Sequence, residues 1–170
     1  ASEARCISAR DVVVDERVRF KCQVPLCESY NRNLMCPPHL PPVEEFRRIL
    51  AHYTDAIIIQ ITSPIAKKPV KKSTDIFAPA KKLHNLINQA EKTAFENGFS
   101  FAAGLIGGCC RLCAVCVAAT GHGPCRHPFK ARPSMEAMGI DVMATLGKAE
   151  MNCSFPIEDR VRWTGLLLVQ

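Results

Sequence analysis

Apolar residues in this chain fall into a few short runs and one long periodic stretch, separated by segments rich in cysteine, proline and lysine. Val12, Val13 and Val14, followed by residues 17–20, have the β-branched and aromatic character of a strand or hairpin. Residues 56–61 are a continuous apolar run, which predicts a buried strand. Ile76, Ala80, Leu83, Ile87, Ala90 and Ala94 recur at steps of four and three, the repeat of one buried helical face. Gly98 stands where a left-handed cap would end that helix. Residues 99–106 predict a second buried strand and residues 164–169 a final one.

Shorter helices are marked by their ends. One should start near Pro42 or Val43, with Glu44 and Glu45 in its first turn and Arg47 and Arg48 later, the order the helix dipole favours. Ser134 is placed to cap a short helix ended by Gly139, and Asp141 to cap another. Pro37, Pro38, Pro41 and Pro42 predict extended backbone after Cys36. Strand, helix, strand, helix, strand implies an α/β fold, and 170 residues suit one compact domain. The expected form is a short mixed sheet with flanking helices over residues 1–170. Two cysteine-rich loops, at about 21–40 and 107–133, lie at one end.

Those loops hold most of the ten cysteines. The first reads Cys22-x4-Cys27-x8-Cys36-Pro-Pro; the second reads Cys110-x2-Cys113-x2-Cys116-x8-Cys125, with Cys109 directly before it. Three thiols at two-residue gaps are how a short loop wraps one corner of an iron–sulfur cube. A disulfide framework fits less well. The chain shows no secretory apolar segment at its start, and Cys109, Cys110, Cys113 and Cys116 are too crowded for four ordinary bridges. Zinc is the serious competitor, but it commonly takes two close pairs separated by a longer loop. Cys6 and Cys153 stand apart from the runs and read as buried packing thiols.

Charge changes the picture less than it first suggests. The formal charge is +6, but eight ligating thiolates around two oxidised cubane cores would add roughly −4. No aromatic-interleaved basic stripe accompanies it, so nucleic-acid binding is not expected. No apolar run approaches the roughly 18 residues needed to cross a bilayer, so no membrane insertion is expected either. Lys67, Lys68, Lys71 and Lys72 lie around two prolines, with Lys81 and Lys82 shortly after. The plain reading is a solvated face; the functional one is a patch that docks an acidic protein surface. The Gly107-Gly108 pair is no dinucleotide fingerprint, and no P-loop or Ser-His-Asp order is present.

Several segments together carry a family resemblance. Arg19-Phe20-Lys21-Cys22, the stretch from Cys36-Pro37-Pro38-His39 to Phe46, residues 107–125 and residues 131–142 resemble a family of predicted metal-binding proteins, domain of unknown function 2284. The resemblance covers nearly the whole chain. It implies cluster or metal binding through Cys22, Cys27, Cys36, Cys110, Cys113, Cys116 and Cys125, and the setting of an anaerobe. Pro is the residue expected at 109, where this chain has Cys.

Seven such cysteines leave two [4Fe-4S] clusters one ligand short. Cys109, Cys6 or Cys153 can supply the eighth, and the freedom of Gly107-Gly108 favours Cys109. One allocation groups Cys22, Cys27, Cys36 and Cys109 apart from Cys110, Cys113, Cys116 and Cys125. A crossed allocation, an open iron and an iron bound by His39 are the others. The cofactor alternative is one [4Fe-4S] cluster with zinc or a second metal site. His122 and His127 flank Cys125 and read as hydrogen-bond partners of cluster sulfur. Arg132 and Glu136 read as a buried ion pair in a packed turn.

The leading function is single-electron transfer to a larger anaerobic complex in the cytoplasm, the corrinoid-dependent kind being implied by the resemblance alone. The second is an oxygen- or redox-responsive module docking on such a complex. The third is an enzyme with an open cluster iron.

Overall fold

The apolar run at 56–61 becomes the middle of a sheet because both its faces find cover. The computed structural model describes residues 2–64, 77–121, 123–151 and 160–170. Strand β1 (Ser2–Ser8) pairs with one edge of β2 (Asp55–Pro64), and β4 (Arg160–Val169) with the other. The short β3 (Ala103–Leu105) completes the order β1-β2-β4-β3. All four named strands are antiparallel, where a mixed sheet was expected; a single parallel bridge joins Ile106 to Ser134. The α/β class itself is as the pattern implies.

Strand alternation sends Ala56 and Ile58 of β2, and Leu166 and Leu168 of β4, into the larger core. There they meet Phe46 and Leu50 of α2 (Val43–Leu50), Met135, Ile140, and Leu146 of α5 (Val142–Lys148). The opposite face turns Ile59 and Ile61 toward Leu83 and Ile87 of α3 (Ala78–Glu96). Gln60, buried between strands, is satisfied by donating from Nε2 to Thr164 Oγ1 at 3.0 Å, its register partner on β4.

Helix α3 comes close to the sheet because β4 has no side chain at Gly165. A Cβ there would lie 2.9 Å from Ile87 Cδ1 and 2.9 Å from the carbonyl oxygen of Leu105. The latter is ladder backbone and cannot swing aside. Gly165→Ala should therefore destabilise the fold by about 1–3 kcal/mol, read as a lower urea midpoint at unchanged slope. Unchanged stability would mean that both α3 and the β3–β4 ladder at Leu105 give way freely.

Three local expectations are corrected. The valine segment forms no strand: Val12 is buried, Val14 makes one bridge to Ile140, and α1 (Glu16–Phe20) follows. Asp15 starts that helix, its Oδ1 accepting the Arg17 N–H at 2.8 Å. The first strand is instead Ser2–Ser8, an edge strand whose Ile7 packs partly against the core. Cys6, beside Ile7 on the other face, is exposed and is not a packing thiol. The strand expected over 99–106 shrinks to Ala103–Leu105, leaving Phe99 and Phe101 exposed in the preceding turn.

The capping expectations fit. Ser134 Oγ accepts the Ala137 N–H at 3.1 Å, with Gly139 ending that 3-10 turn, and Asp141 Oδ1 accepts the Ala144 N–H at 2.9 Å. Lys67, Lys68, Lys71, Lys72, Ile76 at the head of the predicted helical stripe, His122 and Cys153 lie outside the described residues. Among the described residues, no helix is long and apolar enough to cross a membrane.

Candidate metal centre

The first cysteine loop joins α1 to α2 as a succession of tight turns. The Cys22 N–H donates to the Arg19 carbonyl (2.9 Å), Cys27 to Cys22 (3.1 Å), Tyr30 to Cys27 (3.0 Å) and Cys36 to Asn33 (2.9 Å). His39 donates to the Cys36 carbonyl at 3.1 Å, so the proline segment turns where extended backbone was expected, and His39 itself is exposed. The Arg19 guanidinium clamps the exit of the loop, donating to the carbonyls of Pro41 and Leu40.

The second loop is closed at its base. Ile106 donates to the Pro133 carbonyl and accepts from the Met135 N–H, both at 2.9 Å. Its entry runs tight against β4: a Cβ at Gly107 would lie 2.7 Å from the Thr164 carbonyl oxygen. Gly108 follows with φ +74°, a left-handed conformation, packed on the Trp163 ring. A single turn of helix, α4 (Val117–Thr120), follows Cys116.

The return of this loop is anchored on α3. Buried His84 donates from Nε2 to the Lys130 carbonyl at 2.7 Å, and Asn88 Nδ2 donates to the same oxygen at 3.1 Å. Burial is the main cause of the lowered His84 pKa, which keeps the ring neutral. Glu91 takes both Arg132 Nε (2.7 Å) and Nη2 (2.6 Å) and accepts the Gly104 N–H at 2.8 Å. Arg132 therefore pairs with Glu91 and not with Glu136, because α3 brings the Glu91 carboxylate to it. Glu136 turns inward: its Oε2 is buried without a hydrogen-bond partner, and burial pushes its carboxyl above the usual range.

The two loops meet. Asn33, buried, donates from Nδ2 to the Cys110 carbonyl at 2.8 Å while its Oδ1 accepts the Met35 N–H at 3.0 Å. The Leu34 N–H donates to Cys116 Sγ at 3.5 Å, and the His127 N–H to Cys125 Sγ at 3.4 Å. Cys110, Cys113, Cys116 and Cys125 border one hollow, together with Asn33, Leu34 and His127.

A second set gathers beside it. The buried Cys36 thiol is pushed up to about 12, first by burial and then by Cys109, Cys27, Cys22 and Cys110 around it. Burial also raises Cys22, followed by its neighbour Cys27, with Arg19 opposing. Burial again leads for Cys110, opposed by a backbone hydrogen bond from Leu112, with Cys125, Cys113 and Cys116 adding. Cys36 is thus near Cys22, Cys27, Cys109 and Cys110, and Cys110 also borders the hollow with Cys113, Cys116 and Cys125. Cys109 lines a neighbouring cleft with Cys110, Cys113 and Cys116. Cys6, exposed on β1, borders neither space.

The donor chemistry fits a soft metal. Thiol-dominated sets select zinc or iron–sulfur chemistry over hard cations, and backbone N–H groups directed at sulfur are the usual support of ligating thiolates. Burial keeps Cys36, Cys22 and Cys110 protonated when free, so metal binding must release protons. Among the described residues, no three His, Cys, Asp or Glu side chains meet closely enough to hold a single ion; the thiols border a space.

Two supports escaped the reading of the sequence. Asn33 stands in no motif that would mark it. His84, Asn88 and Glu91 form a polar stripe at steps of four and three on α3, a signal that was present beside the apolar stripe.

With a thiol-lined hollow on an α/β frame, the chain has the make-up of a metal-binding protein. It belongs to the family of predicted metal-binding proteins designated DUF2284, whose profile matches residues 5–169. No curated protein and no solved structure matches it.

Proposed function

We propose that the chain carries two [4Fe-4S] clusters, one on Cys22, Cys27, Cys36 and Cys109 and the other on Cys110, Cys113, Cys116 and Cys125, and serves single-electron transfer. The observation that carries the reading is that Cys22, Cys27, Cys109 and Cys110 lie near Cys36 while Cys110, Cys113, Cys116 and Cys125 border one hollow, on two loops tied together by Asn33. Such clusters, when bound, take up and release one electron at a time. The protein's own part is to exclude water from Cys36, to direct the Leu34 and His127 N–H groups at sulfur, and to hold the loops on α3. Those N–H groups stabilise negative charge on the thiolates they reach.

The proposed partner is a larger anaerobic redox or corrinoid-dependent complex with an acidic surface, met through Lys67, Lys68, Lys71 and Lys72. The cytoplasm of an anaerobe is the compartment this chemistry suits. Protein purified without oxygen should hold about eight irons and about eight acid-labile sulfides per chain, the sum for two cubanes. Reduction by dithionite should then bring out a paramagnetic signal that disappears on reoxidation. Stoichiometric zinc without labile sulfide would overturn the reading.

A further inference from the structure

One edge of the sheet is bare. Strand β1 pairs with β2 along Ser2–Ser8 in unbroken register and, among the described residues, with no strand on its other side. The Ala9 N–H donates to the Thr54 carbonyl just beyond that ladder, at 2.9 Å. By the alternation of an antiparallel pair, Glu3, Arg5 and Ile7 then bond to β2, and the main-chain groups of Ser2, Ala4, Cys6 and Ser8 point outward. Edge strands are commonly blunted by a proline, a bulge or a short length; β1 runs seven residues with neither proline nor bulge.

The side chains of this edge are complementary to themselves. Glu3 and Arg5 are exposed, share one face two residues apart, and are opposite in sign. Among the described residues no ion pair engages either. Arg5 gives Nη1 to the Ala149 carbonyl at 2.9 Å, which leaves Nε and Nη2 as donors. On the other face Ala4 and Cys6 are exposed beside Ile59 and Ile57, their partners on β2, which stay half-buried while Ile61 is buried.

We propose that β1 pairs antiparallel with β1 of a second copy about a two-fold axis at Ala4, joining two sheets edge to edge. In that register Ala4 faces Ala4, Ser2 faces Cys6, and each Glu3 faces an Arg5. Ala4–Ala4 and Ser2–Cys6 are the hydrogen-bonded pairs, while Glu3 and Arg5 fall at the positions between them, where opposed side chains come closest. Sliding the strands by two residues either way sets Glu3 against Glu3 or Arg5 against Arg5, so charge disfavours the adjacent registers. The same pairing carries the strip of Ala4, Cys6, Ile57 and Ile59 across the axis and shields it from water. The competing account reads the two charges as deterrents to pairing. A deterrent requires that like charges meet, whereas opposite charges two residues apart attract their own antiparallel copy. The inference goes beyond electron carriage and does not rest on the metal reading.

The test uses the untagged chain, purified without oxygen and sedimented over a concentration series, which should show a reversible monomer–dimer equilibrium. Ala4→Pro removes an outward N–H and spares the β2 ladder, so it should leave the chain monomeric where the parent is dimeric. Glu3→Arg alone and Arg5→Glu alone should each raise the dissociation constant about tenfold or more, because both cross-strand pairs become like-charged. An equimolar mixture of those two variants should recover the dimer, since every pair across the axis is then opposite in charge.

Metal content and circular dichroism equal to the parent's establish that each variant is folded. A chain that is monomeric throughout would overturn the proposal. So would a dimer indifferent to Ala4→Pro, or a mixture no more dimeric than its components. Should Ala4→Pro fail to fold, the mixture decides, because mixing cannot restore what misfolding has removed.

Discussion

Cys113→Ala should remove about half of the iron and half of the labile sulfide, and Cys36→Ala should remove the other half. In the proposed allocation each thiol belongs to a different set: Cys113 borders the hollow with Cys110, Cys116 and Cys125, while Cys36 lies near Cys109, Cys27, Cys22 and Cys110. The double variant should be essentially free of iron. Cys109→Ala should behave as Cys36→Ala does, which tests the residue standing where the family resemblance leads one to expect proline. Metal analysis of the purified variants is the measurement. If either single variant lost all the iron, the two sets would serve one centre. If Cys109→Ala kept its full content, the eighth ligand would have to be sought elsewhere. Folding of these variants is expected because the packing of α3 on the sheet uses Leu83, Ile87 and Ile61 and no cysteine.

Metal removal should loosen both loops and brighten the single tryptophan. Among the described residues, the loops at 21–40 and 107–133 contain one short helical turn, and their regular contacts are local turns and a few cross-loop hydrogen bonds. Their order and the binding of metal share one free energy, so chelation under reducing conditions should open both to protease. Helix α3 should stay protected, held by the sheet on one side. Trp163 packs on Gly108, directly before Cys109. A strongly absorbing cluster on that cysteine would quench indole emission by energy transfer, so chelation should raise it. Equal protease protection with and without metal would show that the cysteines act as packing residues. Unchanged emission would argue against a cluster at Cys109.

Both results depend on a division of labour between sheet and loops that was partly legible in the residues. The α3 stripe, the central run at 56–61 and the caps at Ser134 and Asp141 are local signals, because helix periodicity, β-branched runs and capping side chains act over a few residues. Edge pairing is not local. Ser2–Ser8 has little apolar pattern because only one side of its ladder and part of one face are covered, and it becomes a strand only because β2 offers it an edge. The valines at 12–14 misled for the opposite reason: their burial is supplied by the turn and helices they pack against, without a ladder.

The site divides in the same way. Thiols at two-residue gaps in the second loop are a covalent fact of the chain, and with the three thiols of the first loop they carry the expectation of metal chemistry there. Which thiols share a locus is a matter of distance across many residues. It was decided by the bridge at Ile106 and Ser134, by Asn33 reaching Cys110, and by α3 holding the 130–132 return through His84, Asn88 and Glu91. The exposure of Cys6 and the turning of Glu91 rather than Glu136 toward Arg132 were likewise decided by packing. Spacing along a chain sets what a loop can bind, while the partners that close its ends set where its ligands meet.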